Sequence, residues 1–115
     1  MIHMMDGDWQ IFNVPTQIDC SKVYKWINLK NIEPVSINIG DIGYKTIKTI
    51  ETRGSRYKQA DLNLPGIVVK GMKNPVDKPY RMIDGRHRLL KAQTSGRSYV
   101  LVYVIDEEQV LRFIS

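Results

Sequence analysis

Five consecutive residues carry the chemistry this chain can be read for: Asp84, Gly85, Arg86, His87 and Arg88. They follow a short apolar run, Tyr80 to Ile83, and precede a helical pattern that closes at Gly96. A glycine at that place takes the left-handed conformation that ends a helix. The helix therefore starts near His87, with Arg86, His87 and Arg88 crowded into its first turn. The macrodipole is already positive there, and a carboxylate would be favoured by roughly 0.3–1 kcal/mol. Cations at that position make physical sense when an anion joins them. Gly85 would let backbone N–H groups approach it, and an arginine would grip it through paired hydrogen bonds. The chemistry indicated is a phosphate or carboxylate site. The same residues also spell an Asp-Gly turn ahead of a solvated basic helix, and charge and spacing leave both readings open.

Ile83-Asp84-Gly85-Arg86-His87-Arg88-Leu89, followed by Ala92, Gly96 and an apolar run from Val100 to Ile105, resembles the box of the ParB/sulfiredoxin superfamily. Leu64-Pro65-Gly66-Ile67-Val68-Val69 is similar to the Gln-Pro-Ile-x-Val segment that precedes it in that family. The resemblance runs from about residue 9 to the end of the chain. It implies a small α+β fold with a mixed sheet. It also implies a box, here Gly85, Arg86, His87 and Arg88, that holds nucleotide phosphates, as in sulfiredoxins, ParB-type CTP switches and free serine kinases. The ligand implied is a nucleoside di- or triphosphate, with magnesium as a companion. The spelling departs from the family where sulfiredoxins carry their reactive cysteine and ParB proteins an acidic residue, since Arg86 stands there. Sulfinic acid reduction is accordingly not expected. No helix-turn-helix pattern follows the box, so site-specific DNA reading is not expected either.

The elements around the box follow from periodicity and caps. Asp8 to Ile18 reads as a first strand ended near Pro15. Asp19 to Leu29 reads as a helix capped by Asp19 or Ser21, with Val23, Trp26 and Ile27 inward and Trp26 as a core anchor. Pro34 to Ile42 alternates Val35, Ile37 and Ile39, the period of a half-buried strand, before a turn at Gly40 or Asp41. Tyr44, Ile47 and Ile50 predict an amphipathic helix that ends near Gly54. Gly66 to Met72 predicts a strand joined to Tyr80–Ile83 as a hairpin through the proline-bearing segment Lys73 to Pro79. Tyr99 to Ile105 predicts a central strand buried on both faces, and Asp106 caps a last helix from Glu107 to Phe113.

Composition bounds the partners. With 115 residues the chain is expected to form one domain over residues 1–115. Seventeen basic residues against 12 acidic give a net charge of +5, which favours an anionic partner. Arg53, Arg56, Tyr57 and Lys58 mix bases with an aromatic in a long connection, a composition suited to non-specific nucleic-acid contacts or equally to a solvated loop. No apolar run reaches the ~20 residues that span a bilayer, and a cytoplasmic protein without a membrane partner is expected. A protein partner is compatible with the same basic surface, and the oligomeric state is left open. Cys20 is the only cysteine and reads as a small buried hydrophobe, and no metal-ligand spacing occurs. Phosphoryl transfer would need a carboxylate to hold a metal or orient a nucleophile, for which Asp84 and Glu51 are the candidates. A nucleotide-binding switch or accessory factor is the first reading. A kinase, NTPase or nuclease is the alternative.

Overall fold

The computed structural model describes residues 2–45 and 64–114. Five strands make the main sheet: β3 (Val35–Asn38), β4 (Ile42–Gly43), β5 (Gly66–Lys70), β6 (Tyr80–Asp84) and β7 (Tyr99–Asp106). Their order is β3-β7-β5-β6-β4, with β5 parallel to β7 and antiparallel to β6. β3 adds antiparallel to β7 at one edge, and the two-residue β4 adds parallel to β6 at the other. Two further strands, β1 (Ile2–Met5) and β2 (Thr16–Asp19), form a separate antiparallel ribbon. Helix α1 (Cys20–Leu29) follows the ribbon, α2 (Arg86–Thr94) connects β6 to β7, and the short α3 (Glu107–Val110) follows β7. The architecture is α+β around a mixed sheet.

Alternation along β5 divides the core in two. Ile67 and Val69 point to the face covered by α1 and the ribbon, where they meet Met5, Ile18, Val23, Ile27, Ile83 and Val110. Val68 points to the opposite face, where α2 presents Leu89 and Ala92 to Met82, Val100 and Val102. Asp19 caps α1 by accepting from the Ser21 N–H at 3.0 Å. Gly96 has φ +78°, and the preceding Ser95 ends α2 with its N–H on the Lys91 carbonyl. Gln109 accepts from the Asp106 N–H at 3.0 Å at the start of α3, and a 3-10 turn, Leu111–Phe113, continues it.

Four expectations are corrected. The first strand does not occupy Asp8 to Pro15. A 3-10 turn, Gly7–Trp9, and an irregular stretch stand there, and the strands lie on either side. Gly7 reverses the chain with φ +53°, and Phe12 and Val14 are exposed, so the apolar residues of this stretch do not share one face. Trp26 is half-buried, set edge-on to Phe113 at 6.2 Å, and not a central anchor. β3 stops at Asn38, whose side chain accepts from the Gly40 N–H at 2.8 Å and starts a 3-10 turn. As an edge strand it leaves Val35 exposed. β7 has a neighbour on each side, yet Leu101, Tyr103 and Val104 are only half-buried. The expected helix from Tyr44 to Gly54 and the connection after it fall largely outside the described residues, as do Glu51, Arg53, Arg56, Tyr57 and Lys58.

Candidate anion-binding site

The site is built where β6 leaves the sheet. Ile67 pairs with Asp84 but Val68 pairs with Met82, so Ile83 is an extra residue on β6. A bulge of this kind sends two successive side chains to one side of the sheet. Ile83 enters the core beneath α1, and Asp84 turns to the same helix instead of following Met82 toward α2. There Tyr24 donates its hydroxyl to Asp84 Oδ2 at 2.5 Å. Asp84 is 4% exposed, and its Oδ1 has no hydrogen-bond partner among the described residues.

Gly85 then carries the chain into α2 with φ +99°. A side chain is excluded there twice over. The conformation is left-handed, and a Cβ would lie 2.9 Å from the Cα of Gly66. A Cβ on Gly66 would in turn lie 2.6 Å from the Asp84 carbonyl oxygen. The two glycines let the start of β5 and the end of β6 touch, so the fold itself accounts for Gly85. The expectation that this glycine serves an anion by its backbone is thus joined by a packing reason.

The first turn of α2 holds Arg86, His87 and Arg88, all half-buried, with no acidic residue in the turn and a glycine at the N-cap that offers no capping side chain. Arg88 Nη1 donates to the Pro65 carbonyl at 3.1 Å, on which the Tyr24 hydroxyl also sits at 3.4 Å. Tyr24 is thereby placed between Asp84 and Arg88. Burial pushes its phenol up, the neighbouring Asp84 charge raises it further, and Arg88 opposes both. Tyr24 was not among the residues singled out in the sequence. Its helical spacing reads as ordinary packing, and its partner lies 60 residues away.

A second polar cluster lies on the α1 side of the same strand. Arg81 is fully buried, and its guanidinium donates to the Lys73 carbonyl at 3.0 Å and contacts His3 Nε2 at 2.9 Å. Trp9 covers it, the ring centroid 5.2 Å from the guanidinium carbon, and Nε has no hydrogen-bond partner among the described residues. Because a guanidinium offers no acceptor, His3 Nε2 must accept, and the imidazole is neutral with its proton on Nδ1. Burial lowers the His3 pKa to about 3, helped by the charges of Arg81, Lys45 and Arg86 and opposed by Asp6. Burial likewise lowers Arg81 to about 10. Lys45 pairs with Asp6 and holds that carboxyl below its ordinary range.

Among the described residues no group of three or more His, Cys, Asp or Glu is arranged to hold a metal ion. No helix among them is long and apolar enough to cross a membrane. Glu33 and Asp41 are exposed, away from any shared cluster with Asp84.

No family model matches this chain, and no curated protein matches it. Among solved structures it is similar to the C-terminally truncated chromosome-partitioning protein ParB from Caulobacter crescentus complexed with CTP-gamma-S. The identity is 20% and the TM-score 0.44, over 69% of this chain and 48% of that one. The chain thus spans about half the length of that neighbour. At this level the similarity assigns neither a ligand nor a role to any residue.

Proposed function

We propose that this domain binds the phosphate groups of a nucleoside di- or triphosphate at the start of α2 and works as a switch or accessory factor beside nucleic acid or a protein. The observation that carries the reading is a helix start with three basic residues, no acidic residue and no side-chain cap. The positive end of the helix dipole and the Arg86 side chain then stand at the same helix start. The bulge supports it further, since it turns Asp84, the carboxylate adjacent to Gly85 in the chain, to the Tyr24 hydroxyl, and the first turn of α2 holds no acidic residue. Magnesium would enter with the nucleotide. Arg53, Arg56, Tyr57 and Lys58 would supply contacts to the backbone of a nucleic acid, without sequence preference, in a cytoplasmic setting. Phosphoryl-transfer chemistry is the weaker reading, because Asp84 is occupied by a hydrogen bond inside the fold.

Calorimetric titration with ATP, ADP, CTP and GTP, each with and without magnesium, tests the proposal. At least one should bind, and Arg86→Ala should weaken it by about 10-fold, the cost of one charge-assisted hydrogen bond. Absence of binding by all four under both conditions would overturn it.

A further inference from the structure

Asp84 and Arg88 stand on either side of Gly85, Asp84 bonded to Tyr24 and Arg88 to the Pro65 carbonyl, and among the described residues no ion pair joins them. A buried carboxylate with one oxygen unpartnered is a strong attractor for a guanidinium so close by. What stands between them is one hydroxyl, which donates its single proton to Asp84 Oδ2 and lies 3.4 Å from the Pro65 carbonyl that accepts from Arg88. We infer that Tyr24 is a positioning residue for the anion site: by satisfying Asp84 it keeps that buried carboxylate from capturing Arg88, and so preserves the positive charge of the helix start.

The inference rests on the anion-binding reading above and adds to it a residue from α1. Tyr24 is itself fixed by its ring, edge-on to Tyr103 at 6.3 Å. Its hydroxyl is therefore delivered to one place, as a donor whose proton is held tightly. Without the hydroxyl, Asp84 loses its one hydrogen-bond donor. Arg88 is the replacement at hand, its Nη1 3.7 Å from where a Cβ of Gly85, the residue next to Asp84, would stand. An Arg88–Asp84 pair would neutralise one of the charges at the start of α2 and pull the side chain inward.

The test compares Tyr24→Phe, Asp84→Asn and the double variant with the wild type, using ATP, CTP, GTP and inorganic tripolyphosphate as probes. Tyr24→Phe should weaken whichever probe binds the wild type by about 10-fold, the effect of one lost charge-assisted contact. Adding Asp84→Asn should restore that affinity to within about 2-fold, because no buried charge then competes for Arg88. A support that merely held the fold would make the double variant worse. Equal affinity in wild type and Tyr24→Phe, or a double variant as weak as Tyr24→Phe, overturns the inference. Should Tyr24→Phe fail to fold, Asp84→Asn decides alone: affinity equal to or above that of the wild type is expected, because Tyr24 already holds Asp84 away from Arg88, and weaker binding refutes the inference. Nitrogen-15 spectra of the arginine side chains, with the Arg88 signal assigned through Arg88→Lys, need no ligand. The signal should move in Tyr24→Phe and return in the double variant, and an unmoved signal refutes the inference even when no probe binds. Silence from all four probes with a moved Arg88 signal would upset the function proposed above and leave the role of Tyr24 in holding Arg88 standing.

Discussion

Acidification should loosen this protein through His3. His3 is 3% exposed and accepts from Arg81, so the folded state takes up its proton only near pH 3, against an ordinary value of 6.5. The unfolded chain, with the higher value, binds the proton first as the pH falls. Stability from this group is complete above the ordinary value, is lost progressively down through the window, and changes no further below the folded value. Each pH unit inside the window costs about 1.4 kcal/mol, so moving from about pH 7 to about pH 5 removes roughly 2 kcal/mol. With an unfolding entropy of about 0.24 kcal/mol/K for a chain of this length, the melting temperature should fall by about 8 °C. Asp6, held below its ordinary range by Lys45, loses its own contribution only at lower pH, which is why the comparison stops at about pH 5. Calorimetric melts of the wild type and His3→Gln at both pH values isolate the effect, since a glutamine oxygen can still accept from Arg81 but does not titrate. The variant should show about a quarter or less of the shift seen in the wild type. Equal shifts in the two proteins would refute the assignment of His3 as a neutral acceptor for a buried guanidinium.

Gly66→Ala should destabilise the fold by about 1–3 kcal/mol in denaturant titration, because the new methyl meets the Asp84 carbonyl and Gly85 backbone, neither of which can turn aside. An unchanged midpoint would mean that β5 and the end of β6 are not in contact. Cys20 is fully buried and its thiol is pushed up to about 12 by burial and then by Asp84, so a thiol reagent at about pH 8 should label it only as the chain unfolds. Rapid labelling of the native protein would contradict the packing of α1 on β6.

Several elements were legible in the chain because their signals are local. The strand, turn and helix around Gly85, the Asp19 cap of α1, the hairpin of β5 with β6, and Gly96 after α2 each depend on neighbours a few residues apart. Periodicity states that a strand has a buried face but not which neighbours it finds. β3 alternates like a half-buried strand, and its place at the sheet edge is what leaves Val35 exposed. β1 was missed because one of its two inward residues is His3, a polar residue that goes inside only through Arg81, 78 positions away. The residue types of the helix start were equally plain in the sequence, but the direction of Asp84 was not. One extra residue in β6 reverses the side that alternation would have given it, and only the register against β5 reveals that residue. Sequence alone therefore determined which charges gather at Gly85. Tertiary structure decided which of them face each other, because a buried polar group takes its partner from whatever segment the fold brings within hydrogen-bond reach, as Tyr24 is brought to Asp84.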